Sequence, residues 1–174
     1  MRIIHLRNDV VGRLSGWPLS VATLMLRFAL AVPFFRSGLT KWDGLSVSPG
    51  AKYLFTNEFK LHIFGGAYPY PFPNLLVTLA AIGEIVLPIL LVLGLLTRLS
   101  ALGILAMTVV IQLTFPEAWA NFHLPWAAMA VTLVVIGPGR VSLDALLMPW
   151  HRDRSARTPA RHGTASADSP SARG

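Results

Sequence analysis

Four stretches of the chain are apolar over the length of a membrane-crossing helix, and most polar residues are crowded between or beyond them. A helix needs about 20 apolar residues to cross a hydrocarbon core. The first stretch runs from about Leu19 to Leu39, after Trp17-Pro18, an interfacial aromatic followed by a proline suited to a helix start. The second runs from Leu75 to Leu96, after the Pro- and Tyr-rich Tyr68-Pro69-Tyr70-Pro71-Phe72-Pro73. The third runs from Leu99 to Phe115 and stops at Pro116; the fourth runs from about Ala118 or Phe122 to Ile136 and ends at Gly137-Pro138-Gly139. None alternates as a strand does. The second and third are joined by Thr97-Arg98 alone, a link so short that the two must form an antiparallel hairpin. The expected fold is all-α: an antiparallel bundle of four transmembrane helices over residues 19–148.

Ala29-Leu30-Ala31 after a basic start imitates a signal-peptide cleavage site. Arg27 interrupts the would-be apolar core, however, and hydrophobicity continues through Phe34-Phe35, so the first stretch is read as a retained helix.

Outside the bundle lie an N-terminal segment, 1–18, a long loop, 40–74, and a tail, 149–174. The loop is too apolar for a plain linker. Ser48-Pro49 reads as a cap and first helical position. After it, Tyr53, Leu54, Phe55, Phe59, Leu61 and Ile63 suit a short amphipathic helix on the membrane surface. The tail is rich in Arg, Ser, Ala and Pro without apolar periodicity, the composition of a disordered segment. Orientation follows from the Lys and Arg counts of the connecting segments. The N-terminal segment holds 3, the Thr97-Arg98 link 1 and the C-terminal segment 6, against 3 in the loop (Lys41, Lys52 and Lys60). Both termini are therefore expected in the cytoplasm.

Composition agrees: 53% of the 174 residues are hydrophobic and 13% charged, where soluble domains carry about 25% charged residues. The formal charge of +7 suggests nucleic acid at first sight. The basic residues lie mostly outside the apolar stretches and no groove-reading motif accompanies them, so anionic lipid is the expected partner and nucleic acid is not. The absence of cysteine excludes a disulfide framework, a zinc-thiolate site and a thiol relay within the chain.

Polar residues inside lipid are costly and face the bundle interior or a cavity. Arg27, Arg36, Glu84 and Gln112 are the candidates. Counted from the cytoplasmic ends at about 1.5 Å per residue, Glu84 and Gln112 come out level near ~20 Å, with Arg27 near ~13 Å and Arg36 near ~26 Å. Nine residues put the two arginines on opposite faces, so both cannot meet one partner; Arg36 can instead snorkel outward. Glu84 reads either as part of an ion pair that locks the bundle or as a site for proton or quinone chemistry. The outer face adds Lys41, Trp42, Asp43, His62, Glu117 and His123. The two histidines share no ligand spacing and read as isolated interfacial residues rather than a metal site. Trp42, Trp119, Trp126 and Trp150 read as aromatic belts. No phosphate-binding glycine loop, G-x-S-x-G, H-E-x-x-H or C-x-x-C-H is present.

Gly137-Pro138-Gly139-Arg140-Val141-Ser142-Leu143-Asp144 resembles the ending of the DoxX family of small four-helix membrane proteins. Arg27 with Gly38-Leu39-Thr40-Lys41 resembles the family's first helix, and Glu84 with Gly94-Leu95-Leu96-Thr97-Arg98 its second helix and turn. The resemblance spans about residues 20–148. In the ending, Arg140 can bind lipid phosphate, and Ser142 can cap a short surface helix, Leu143–Leu147. The resemblance implies a bacterial inner-membrane protein that works beside redox partners, including quinone-linked ones, or beside enzymes that modify metal-binding peptides. The expected role is accessory subunit, with Glu84, Gln112 and Arg27 or Arg36 forming a buried quinone site. A small transporter or channel subunit and a structural anchor for a partner enzyme are the alternatives.

Overall fold

The computed structural model describes residues 2–147; the expected tail and Trp150 lie outside the described residues. Helix α1 runs Arg2–Leu39. A loop holds the hairpin β1 (Trp42–Asp43) and β2 (Ser46–Val47), helix α2 (Pro49–Tyr53), a π-helical turn (Leu54–Glu58), and the hairpin β3 (Lys60–Ile63) and β4 (Gly66–Pro69). Helices α3 (Pro73–Leu93) and α4 (Thr97–Thr114) follow. A 3-10 turn (Pro116–Ala118) and a π turn (Trp119–His123) then lead into α5 (Leu124–Ile136), and α6 (Leu143–Leu147) lies beyond it. Four segments are long and apolar enough to cross a membrane: Pro18–Leu39, Pro73–Leu93, Thr97–Thr114 and Pro116–Ile136.

The expected bundle is present, with shifted boundaries. Pro18 sits inside α1 rather than at its start, as does Pro33. A proline deletes one backbone donor, and the turns on either side can continue around it at the cost of a kink. The link between α3 and α4 is Gly94-Leu95-Leu96, not Thr97-Arg98. Gly94 ends α3 in the left-handed region (φ 68°) and its N–H bonds back to Leu91 O, so the chain reverses three residues early.

The four long helices close a ring in which α1 lies beside α3 and α5, and α4 completes the circuit between them. Leu30, Ala31 and Phe34 of α1, Leu91 of α3, Ala101 and Ile104 of α4, and Ala130 and Leu133 of α5 fill its centre. The outward positions are apolar too: Leu79, Ile82, Val86 and Ile89 of α3 and Leu102, Val109 and Val110 of α4 are exposed. A helix apolar all round belongs in lipid.

Close approaches at two levels set α1 against α3. At one end, a Cβ on Gly94 would collide with the Arg27 guanidinium. Eleven residues further along α1, a Cβ on Gly38 would lie 2.9 Å from the Glu84 carbonyl oxygen, ten residues back along α3. Helix α1 ends at Leu39, so it stops level with the middle of α3. From Glu84 to Pro73, α3 continues for 11 residues, about 16 Å, with no α1 beside it.

The loop fills that gap. Trp42, Val47, Ala51 and Phe55 pack on Val77 and Ala81, on the upper half of α3. Ser48 caps α2 as expected, its Oγ accepting from Ala51 N at 3.2 Å. The expected amphipathic helix stops at Glu58, however. Lys60–Ile63 is a strand, its backbone paired with Gly66–Pro69 from Lys60↔Pro69 to Ile63↔Gly66. Irregular backbone beside a membrane helix is tolerated where its polar groups are satisfied within the protein, and the two hairpins do this.

Tyr70 ties the loop to α4. Its buried hydroxyl meets Thr114 Oγ1 at 2.5 Å, and Thr114 in turn donates to Val110 O at 2.8 Å. Burial pushes the Tyr70 phenol above its ordinary value, and the Thr114 hydrogen bond offsets part of this. The folded state thus holds the proton to higher pH than the unfolded chain. Below the ordinary tyrosine value, about 10, both states are protonated and the group adds no pH dependence; above it, stability falls as pH rises. Tyr70→Phe is expected to cost about 1 kcal/mol near neutral pH and to flatten that alkaline loss, read by thermal unfolding in detergent.

Candidate functional site

The polar residues expected to form one site are held by three separate sets of partners. Glu84, in the middle of α3 and 4% exposed, pairs with Lys41. The chain turns just past α1, with Thr40 N bonded to Ser37 O (3.2 Å) and Lys41 N to Gly38 O (3.0 Å). This turn lets the Lys41 side chain fold back along the helix end. Lys41 Nζ donates to Glu84 Oε2 at 2.5 Å and to Ser37 Oγ at 3.0 Å. Gly38 permits the approach, because any larger residue would push α1 off the Glu84 backbone. Trp42 Nε1 donates to Ala81 O at 3.3 Å, one turn further up α3. The side chains of the pair are 14% and 5% exposed, so it is nearly withdrawn from solvent.

Gln112 is elsewhere. Its Oε1 meets His123 Nδ1 at 2.6 Å, which places the proton on Nδ1, and its Nε2 donates to Pro116 O at 3.3 Å. These bonds fasten α4 to the 3-10 and π turns that open the last span. With the link at Gly94–Leu96, Glu84 is 9 residues from the end of α3 and Gln112 is 15 from the start of α4. That puts them about 14 and 22 Å from the turn, not level. His62 Nδ1 lies 3.3 Å from Leu113 O, so the two histidines have different partners. Trp126 also turns inward, its ring 5.0 Å from Phe34 and 5.5 Å from His123. Trp42 and Trp126, two of the expected belt tryptophans, are thus half-buried and packed against the bundle.

Arg27 lies at the turn end of the bundle. It is 1% exposed and its Nη2 donates to Val141 O at 2.5 Å. Arg27 Nε and Nη1 and the Thr97 and Ser100 hydroxyls are buried without a partner among the described residues. The Gly137–Asp144 segment wraps this corner. Arg140 N donates to Ser20 Oγ at 3.2 Å, and Ser142 Oγ accepts from Ala145 N at 3.1 Å, capping α6 as expected. Gly137 and Gly139 both carry positive φ, and Arg98 lies against Gly137. Asp144 performs a task that its sequence position did not reveal. Its two carboxylate oxygens accept from Leu96 N (2.8 Å) and Thr97 N (2.9 Å), and its own N–H donates to Gly94 O (2.9 Å). A carboxylate at a helix start satisfies orphan donors and complements the helix dipole. It also holds Leu96 in the left-handed region (φ 51°) that a branched side chain disfavours. Arg36 stands apart from all of these, exposed on the outer side of α1.

These arrangements engage the residues of all three stretches by which the sequence resembles a family, and the DoxX family model matches residues 22–117. The chain belongs to the DoxX family. The match covers α1 from Ala22, the loop, α3 and α4, and stops before α5 and the Gly137–Asp144 segment. An uncharacterised protein of Haemophilus influenzae is 32% identical over 163 residues, covering 82% of this chain and 94% of its own length. No solved structure matches. With four candidate spans, this DoxX protein is a multi-pass membrane protein.

Removing one member of a buried ion pair strands the other charge, at about 3–5 kcal/mol, whereas replacing both by apolar residues is often neutral. Lys41→Met is therefore expected to lower stability in detergent by about that much, and Lys41→Met with Glu84→Leu to recover most of it. Asp144→Ala leaves two backbone donors at the α4 start unpaired and is expected to cost about 2–3 kcal/mol, read in the same unfolding assay.

Proposed function

We propose that this DoxX protein is an accessory subunit of a bacterial inner-membrane redox system, and that the Lys41–Glu84 pair is its quinone-facing, proton-handling site. The observation that carries the reading is the placement of this pair. An ammonium and a carboxylate meet at 2.5 Å, nearly buried, at mid-height of an apolar helix and beneath the loop that covers the upper half of α3. The chain's Lys and Arg asymmetry supports a cytoplasmic location for the turn end and both termini.

The residue types fit a quinone headgroup. Quinone, when bound, supplies two-electron redox chemistry. Lys41 is the donor suited to a carbonyl oxygen, and Glu84 is the group that takes or returns a proton. Ser37 Oγ, 3.0 Å from Lys41 Nζ, steadies the ammonium. The chain has no cysteine for an iron–sulfur cluster or a thiol relay, so electrons carried by such groups would come from the partner subunit.

A specific observation also favours the structural-anchor reading. The pair sits where Gly38 touches Glu84 and Trp42 bonds Ala81, so it also fastens α1 and the loop to α3. Glu84→Gln separates the two, since it keeps a hydrogen-bond acceptor for Lys41 but cannot exchange a proton at ordinary pH. The redox reading expects copurified quinone in the wild type and at least a tenfold loss of partner-dependent electron transfer in Glu84→Gln, with the protein still folded. No bound quinone together with unchanged turnover would overturn it and leave the anchor.

A further inference from the structure

Arg27 is a buried charge without a counter-ion among the described residues. It is 1% exposed, and its Nη2 alone has a partner there, the Val141 carbonyl. Nε and Nη1 carry further N–H donors that are buried and unmatched. Charged groups away from water are normally paired, because an uncompensated ion there is costly. The ion pair among the described residues joins Lys41 and Glu84, so Asp144, the carboxylate of this corner, is not within ion-pair distance of Arg27. Both Asp144 oxygens already accept from Leu96 N and Thr97 N, where the charge complements the positive end of α4. The corner thus holds two positive features, the guanidinium and the helix start, against one carboxylate.

Two hydroxyls here are in the same condition. Thr97 and Ser100 are fully buried, and neither hydroxyl has a partner among the described residues. Other helical threonines satisfy themselves: Thr78, Thr108, Thr114 and Thr132 each donate to the carbonyl four residues back. The fold places the two free hydroxyls near Arg27. Thr97 is three residues past Gly94, against which Arg27 Nη1 lies. Ser100 adjoins Ala101, which shares a core with Leu30, three residues along α1 from Arg27.

The space is narrow as well as donor-rich. A Cβ on Gly94 would collide with both the guanidinium and Ser142, so a guest here is about the size of a water molecule. Water would complete the hydrogen bonds and leave the charge uncompensated. A halide of similar size accepts from N–H and O–H donors and supplies the missing negative charge.

We infer that Arg27, Thr97 and Ser100 form a buried chloride site, closed over by the Gly137–Asp144 segment. The anion joins α1 to the start of α4, across the ring, and makes closure of the bundle depend on chloride. The inference stands apart from the redox reading and does not rest on it.

Thermal unfolding of the purified full chain in detergent, with gluconate exchanged for chloride at constant ionic strength, tests this. A ligand that binds the folded state alone raises its melting temperature, here by about 3 °C or more at ~0.15 M chloride. Bromide should substitute, and crystals grown in bromide should show an anomalous peak within hydrogen-bond reach of Arg27 and the two hydroxyls. Thr97→Val with Ser100→Ala removes two unpaired hydroxyls at nearly constant shape, so this variant should fold as well as the wild type in gluconate. Its chloride midpoint should rise at least tenfold. Equal stability of the wild type in chloride and gluconate would overturn the inference, as would an unchanged midpoint in the double variant. A corner that holds only water in bromide-grown crystals would do the same.

Discussion

The register of α1 on α3 is the constraint from which the rest of the structure follows. Two glycines set it. Gly94 makes room for the Arg27 guanidinium at one level, and Gly38 lets α1 touch the Glu84 carbonyl at another. Once those contacts are made, Lys41 falls beside Glu84, α1 ends halfway up its neighbour, and the loop has a helix-sized gap to fill. Close backbone approach through small residues is how helices associate in lipid, where burial of apolar surface offers little net drive.

That register also separates the polar residues by role. Lys41 and Glu84 are held in the interior at mid-height, where a proton exchange would be shielded from bulk water. Arg27 serves the turn end, where it grips the backbone of the last segment. Gln112 joins His123 near the opposite end and fixes the irregular turns that precede α5. Arg36 is left on the perimeter. One sequence-level cluster is therefore three internal fastenings and one outward-facing charge.

Much of the architecture was legible because lipid imposes a simple pattern: long apolar runs broken by Pro and Gly. The ends of α1 and α5 at Leu39 and Ile136, the Ser48 and Ser142 caps, and the hairpin of the middle helices all follow from residue type. The turn was misplaced because Leu95 and Leu96 are as apolar as the helix before them, and only the left-handed Gly94 marks the break. That error of a few residues made Glu84 and Gln112 look level. The Lys41–Glu84 pair was hidden for a related reason. By position Lys41 is a loop charge, and it is the turn Gly38-x-x-Lys41 that folds its side chain back along α1. The strand Lys60–Ile63 has the same apolar residues a surface helix would use, and its pairing with Gly66–Pro69 is what decides between them.

The Asp144 carboxylate gives the chain an order of assembly. Leu96 and Thr97 leave the ribosome 48 and 47 residues before the group that accepts their N–H donors, and the Arg27 side chain waits longer still, 114 residues, for the Val141 carbonyl. Until then the first-made span and the α3–α4 hairpin meet without their fastening. The segment made last therefore closes the bundle, joining its earliest helix to its central turn. A chain arrested or cut before residue 141 would hold all four spans and lack the clasp between them.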